Sequence, residues 1–192
     1  PRTREDLVAD RWRPGEIGIA YPLFGTTATE AAALYAVLGP ERARAWYRRL
    51  RASGARVVDG NSVVRDLVAA GQLKAGLTDT DDAYGAVKRG APVAIIPPDQ
   101  EGTGTLIIPG TVALVAKGPN PEAGARLVDF LTSPEAERML IDSGFAQIPL
   151  HASNAPPAWL HTASIKAMDV TFEAISQQLP IVQEQLREVF VR

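Results

Sequence analysis

Three times in the first half of this chain, a short apolar run gives way to a polar, turn-forming segment that opens a helical run. Glu16–Tyr21 leads through Gly25-Thr26-Thr27-Ala28-Thr29-Glu30 into the apolar run Ala31–Leu38. Ala55–Val58 leads through Gly60-Asn61-Ser62 into a helix ending at Ala70, closed by Gly71. Lys74–Leu77 leads through Thr78-Asp79-Thr80 into a helix from Asp81 to Arg89, closed by Gly90. Strands separated by helices pair parallel, because the crossover returns the chain to the same edge of the sheet. The pattern therefore predicts an α/β fold with a largely parallel sheet. A helix over Pro40–Ser53, with proline in its first turn and Gly54 at its end, adds a layer, and Val93–Ile96 reads as a fourth strand.

The pattern changes after Pro97-Pro98-Asp99-Gln100. Thr105–Ile108 and Thr111–Val115 read as strands joined by Pro109-Gly110. Asn120-Pro121 and Ser133-Pro134 each start a helix, ending at Leu131 and Leu140. Gly144–Leu150 reads as extended, and Met168–Phe190 as helical with an interruption at Pro180.

In a parallel sheet the three polar helix starts gather at the carboxyl ends of the strands, where open α/β sheets bind ligands. The first amides of a helix lack intrahelical acceptors and carry partial positive charge, so Gly25, Thr26, Thr27 and Ala28, with Asn61, Ser62 and Thr80, form a candidate anion site. Thr27-Ala28-Thr29-Glu30 also fits a capping box that would only close the helix end. Arg65, one turn into its helix, either adds a charge-assisted contact or pairs with Asp66. Asp79, Asp81 and Asp82 are candidate ligands for a hard cation or for sugar hydroxyls, although an aspartate at a helix start also serves as a cap.

Catalytic signatures are weak. The only histidines, His151 and His161, lie far in sequence from these loops, and neither a nucleophile elbow nor a phosphate loop is present. Trp12, Trp46 and Trp159 read as packing residues. With 20 Lys+Arg against 22 Asp+Glu, the chain lacks the basic excess that general nucleic-acid binding needs, and the arginines at 42, 44, 48, 49 and 51 read as a solvated helix face. The absence of cysteine removes disulfides, thiolate metal sites and cysteine nucleophiles.

The order and spacing of several segments resemble the extracellular solute-binding proteins of ABC importers, in the group that includes periplasmic ferric-iron-binding proteins. The segments are Asp6–Ala20, Gly25–Thr29, Asp59–Gly71, Gly76–Ala83, Ile108–Val115, Ala123–Leu131, Ser133-Pro134-Glu135 and Gln147–Leu150. The resemblance implies a periplasmic-binding-protein-like (type II) fold, with two α/β lobes joined by hinge strands and ligand held between them. It implies that Pro1 begins after most of the first lobe. Residues 1–103 would form the second-lobe domain, with 1–15 as inter-lobe connection. Residues 104–150 would be hinge strands and helices of the partial first lobe, and 151–192 carboxy-terminal helices packing on the second lobe.

The resemblance further implies a periplasmic or extracytoplasmic binding protein, not an enzyme, that delivers its solute to a membrane permease. Residues like Gly25–Ala28 and Asn61 hold an anion that accompanies iron(III) in such proteins. Asp81 and Asp82 stand where the iron binders carry adjacent tyrosines; the cargo implied is iron(III) or another cation with its anion, or an organic phosphate compound without metal. The competing expectation is an α/β enzyme acting on a phosphorylated small molecule, with Asp79 or Asp82 as base. A chain lacking one lobe would expose apolar surface and unpaired edges and is expected to self-associate.

Overall fold

The computed structural model describes residues 1–145, 148–158, 160 and 165–191. Gln147, Trp159 and His161, each named above, lie outside them. The chain forms two compact units, Pro1–Ile107 with Ile165–Arg192, and Ile108–Ser164.

The first unit is built on a three-stranded parallel sheet of β1 (Ile17–Ala20), β2 (Arg56–Val58) and β3 (Ala75–Leu77), in the order β2-β1-β3. Gly18 stands between Arg56 on one side and Gly76 on the other. Gly76 has no room for a side chain: a Cβ there would sit 2.3 Å from Val64 Cγ1. That space lets α3 (Asn61–Ala69) close onto the sheet through Val64, which is fully buried. The other helices of this unit are α1 (Gly25–Leu38), α2 (Pro40–Ala52), α4 (Thr80–Lys88) and α7 (Phe172–Phe190).

The core lies around α1. Ala31, Ala32 and Ala33 are fully buried, and small side chains allow close approach of α7, whose Ile175, Val182, Leu186 and Phe190 face inward. Trp46 and Tyr47 of α2 meet edge to face at 4.8 Å and complete the cluster with Leu50. Each such large apolar side chain contributes about 1.5–3 kcal/mol through burial. α7 runs through Pro180 without interruption, contrary to expectation. Pro180 lies on the exposed side, so the carbonyl it leaves unbonded faces water while the buried positions stay packed.

Among the described residues of this unit Arg4 is the buried charge, at 4% exposed. Its Nε donates to Glu30 Oε1 at 3.1 Å, its Nη1 pairs with Asp99, and its backbone amide donates to Asp99 Oδ1 at 3.0 Å. Glu30 is therefore an ion-pair partner, not half of a capping box. The helix starts two residues before Thr27, with Phe24 at its N-cap and no side-chain cap.

The predicted fourth strand, Val93–Ile96, is irregular, as are Thr105–Ile108 and Thr111–Val115. Their sequences are apolar runs of strand length, but a strand requires a hydrogen-bonding neighbour. Among the described residues only Thr105 finds one, in a single parallel bridge to Ala167.

The second unit contains α5 (Pro121–Leu131) and α6 (Pro134–Ser143). Ser133 caps α6 by accepting from the Ala136 amide at 3.2 Å. Asn154 is tied to α6: its Nδ2 donates to Pro134 O and to Glu137 Oε2, each at 2.8 Å. Among the described residues no helix is long and apolar enough to cross a membrane.

Candidate functional site

The parallel topology places the loops after β1, β2 and β3 at one edge of the sheet, and their side chains interlock there. Asn61 Nδ2 donates to Asp79 Oδ2 at 2.7 Å and to Thr26 Oγ1 at 3.0 Å. Thr26 Oγ1 donates to the same Asp79 Oδ2 at 2.8 Å. Thr27 Oγ1 donates to Asn61 Oδ1 at 3.3 Å, and Thr78 Oγ1 donates to Asn61 O at 3.1 Å. Residues 26, 61 and 79 thus close a triangle with one corner on each loop.

This lock changes how two aspartates read. Asp79 is the N-cap residue of α4, yet it makes no side-chain cap bond. One of its oxygens is turned across the edge to the other two loops. Asp81, expected to open the helix, lies inside it, since α4 starts at Thr80. Asn61 likewise begins α3 with Gly60 as N-cap, which frees its amide for the lock.

The donors of α1 are set by the backbone at Gly25. Its φ of +56° lies in the left-handed region and favours glycine, and nothing would crowd a Cβ there. Ala28 makes the first helical bond, to Phe24 O at 3.1 Å, so the amides of Gly25, Thr26 and Thr27 precede the helical ladder. Ala28 is itself buried, and its amide is already used. Ser62 and Thr80 are exposed at the starts of α3 and α4.

Asp79, Asp81 and Asp82 come together: one carboxylate oxygen of each lies within 4.8 Å of the others, at half-buried positions. Arg65 Nη1 donates to Asp82 Oδ1 at 2.7 Å, and its Nε donates to Asp66 Oδ1 at 2.8 Å. Arg65 therefore pairs with Asp66, as one of its two expected roles has it, and also with Asp82 of the cluster. Burial pushes the Asp82 carboxyl above the usual range. Arg65 pulls it back, and Asp81 and Asp79 push it up again. The edge therefore presents helix-start amides and hydroxyls beside three crowded oxygen donors, partly neutralised by one guanidinium.

Trp12 and Trp46 take no part in the three-loop lock. His151 Nδ1 lies 3.2 Å from Glu137 Oε2 in the second unit. Trp46 is core, and Trp12 Nε1 donates to Asp6 O at 2.6 Å. Sequence reasoning missed the lock itself, whose only local trace was three polar helix starts of similar make-up.

Residues 1–146 match the family described as "Bacterial extracellular solute-binding protein". Iron uptake protein A1 of Synechocystis sp. is 27% identical over 169 residues, covering 80% of this chain and 46% of that protein. The solved ferric binding protein from Campylobacter jejuni superposes with a TM-score of 0.84 at 22% identity, over 98% of this chain and 62% of its own. The periplasmic binding protein AfuA from Actinobacillus pleuropneumoniae, solved with fructose-6-phosphate bound, gives 0.86 at 21% identity, over 100% and 60%. The chain thus spans about half the length of the curated relative (46%) and about three fifths of these solved chains. The fold is that of a type II periplasmic binding protein, present here as an α/β lobe and part of another. The chain belongs to the bacterial extracellular solute-binding protein family, a family of binding proteins and not of enzymes.

Proposed function

We propose that this protein is the substrate-binding component of an ABC importer, working outside the cytoplasmic membrane, and that it captures a small solute pairing a hard cation with an oxyanion. The observation that carries this reading is the convergence of the Asp79, Asp81 and Asp82 oxygens within 4.8 Å beside the first amides of α1 and α3. Carboxylate oxygens suit a hard cation such as iron(III). Three carboxylates against one arginine disfavour a bare anion, whereas a cation relieves their crowding and the helix amides receive its counter-anion. Asp81 and Asp82, with the Gly25–Thr27 amides, Ser62 and Thr80, are the proposed contacts, while Thr26, Asn61 and Asp79 hold them in register. The proposed recipient is a membrane permease. The apolar side chains exposed by the second unit, Leu127, Phe130 and Met139 among them, favour self-association of this chain, readable as concentration-dependent sedimentation.

A second reading is an organic phosphate. The Arg65–Asp82 pair supports it, because it neutralises one carboxylate and leaves Asp81 for hydroxyls. AfuA, of similar fold, was solved with a sugar phosphate. Thermal unfolding of the protein with iron(III)–citrate, citrate alone or fructose-6-phosphate separates the two. A ligand that binds only the native state raises the melting temperature. The first reading expects a rise with iron(III)–citrate that Asp81→Asn diminishes. A rise with the sugar phosphate alone transfers the site to the second reading, and no rise with any of them removes both.

A further inference from the structure

The fold also carries a cationic groove at the edge of the sheet opposite the solute site. An open depression of about 460 Å³ lies between α2 and α7, lined by Arg44, Arg48, Arg51, Ala52, Glu188 and Val189. Arg51 stands in the last turn of α2, just before β2 begins, and therefore at the amino end of the sheet. The helix starts of the candidate site are at the carboxyl ends.

The arginines of α2 divide by their partners. Arg49 pairs with Glu5 at 2.8 Å, and Arg44 pairs with Glu188 across the groove. Arg48 and Arg51 are exposed and make no ion pair among the described residues. The Nε of Arg44 is buried in the groove wall and makes no hydrogen bond. The chain as a whole has a net charge of -2, so this cluster is a local reversal of sign and not a reflection of composition.

We infer that this groove is a docking site for an acidic protein segment, whose carboxylates are received by Arg48 and Arg51. A guanidinium presents paired donors that match a carboxylate, and two of them in one recess select closely spaced acidic side chains. The concave shape favours inserted side chains over a flat lipid surface. Because the groove lies at the far edge of the sheet, an occupant there leaves the candidate solute site open. The inference rests on no assumption about which solute that site takes.

The test is fluorescence anisotropy of a labelled oligoglutamate peptide titrated with the 192-residue chain. Arg48→Glu with Arg51→Glu serves as the altered groove and Arg11→Glu as the charge control, since Arg11 is exposed outside it. The expected result is binding that weakens between about 0.02 M and about 0.3 M salt. It should fall by about tenfold or more in the double variant, and be kept in the control. Both altered positions are solvent-exposed, and circular dichroism checks that the double variant is folded. If that variant is unfolded, Arg48→Gln with Arg51→Gln takes its place, with a smaller loss expected. Equal binding by altered and unaltered chains, or no binding at the lower salt, overturns the inference. So does binding to phosphatidylglycerol vesicles without binding to the peptide, or displacement of the peptide by inorganic phosphate at equal concentration.

Discussion

Asn61 Nδ2 donates to Asp79 Oδ2 at 2.7 Å, joining the first turn of α3 to the N-cap of α4. With Thr26 donating to the same oxygen at 2.8 Å, one carboxylate oxygen holds three loops in register. Removing it strands a hydroxyl and an amide in a half-buried position. Asp79→Ala is therefore expected to lose about 1–3 kcal/mol of stability, with Asp79→Asn losing less because its amide oxygen still accepts. Urea unfolding checks this, and equal midpoints for all three proteins would show that the lock carries no weight.

Much of this edge was legible in the sequence, because the signals were local. Gly60-Asn61-Ser62 and Thr78-Asp79-Thr80 sit between a strand-length apolar run and a helical run, and turn residues act over a few positions. What could not be read were relationships over distance. Glu30 satisfied a capping-box pattern three residues from Thr27, yet its partner is Arg4, 26 residues away. Val93–Ile96 is an apolar run of strand length, but whether a neighbouring strand exists is settled by the fold and not by the run itself. The position of Asp79 suggested a cap or a ligand, and only the meeting of three loops makes it a tie between them.

The Arg4 ion pair supplies the second prediction. Its side chain is 5% exposed, and those of Glu30 and Asp99 are 19% and 13% exposed. Burial alone would lower the Arg4 pKa; Glu30 and Asp99 outweigh that and raise it. Arg4→Ala leaves two carboxylates facing one another without a counter-charge, a loss of about 3–5 kcal/mol. It also frees the segment 98–104 that Asp99 anchors. Chemical denaturation gives the first quantity, and faster proteolysis near Asp99 gives the second.

Asp81 makes the opposite prediction. It crowds Asp82, whose carboxyl is pushed above the usual range by burial and then, against the pull of Arg65, by Asp81 and Asp79. A carboxyl raised in the folded state is protonated more readily there than in the unfolded chain. Its contribution to stability is full at low pH and is lost as pH rises through the raised value. At pH near 7, Asp81→Asn is therefore expected to stabilise the unliganded protein, by about 0.2–0.5 kcal/mol on the scale of a like-charge pair. Under the proposed function it weakens cation binding as well. A lower melting temperature for Asp81→Asn without added solute would show that the crowding is not a cost.

Glu137 governs the acid response of the second unit. Burial alone would raise its carboxyl. The hydrogen bonds from Asn154 and from the Leu150 and His151 amides, with the His151 ring 3.2 Å away, outweigh that, holding it at about 2 against an ordinary 4.5. The Leu150 amide donates at 2.6 Å and the His151 amide at 3.1 Å. Because the folded value is depressed, the stabilisation is present above the ordinary value and disappears as pH falls from about 4.5 towards about 2. Residues 150–154 should then detach from α6 before the first unit loses its core, which contains neither Glu137 nor its partners. Hydrogen exchange at the Leu150 and His151 amides, followed by NMR across that range, should show protection falling with acid in the wild type. Glu137→Gln should show low protection at every pH, since a neutral amide oxygen is a weaker acceptor for these donors. Unchanged protection in the wild type down to the bottom of the range would mean that other contacts hold this loop.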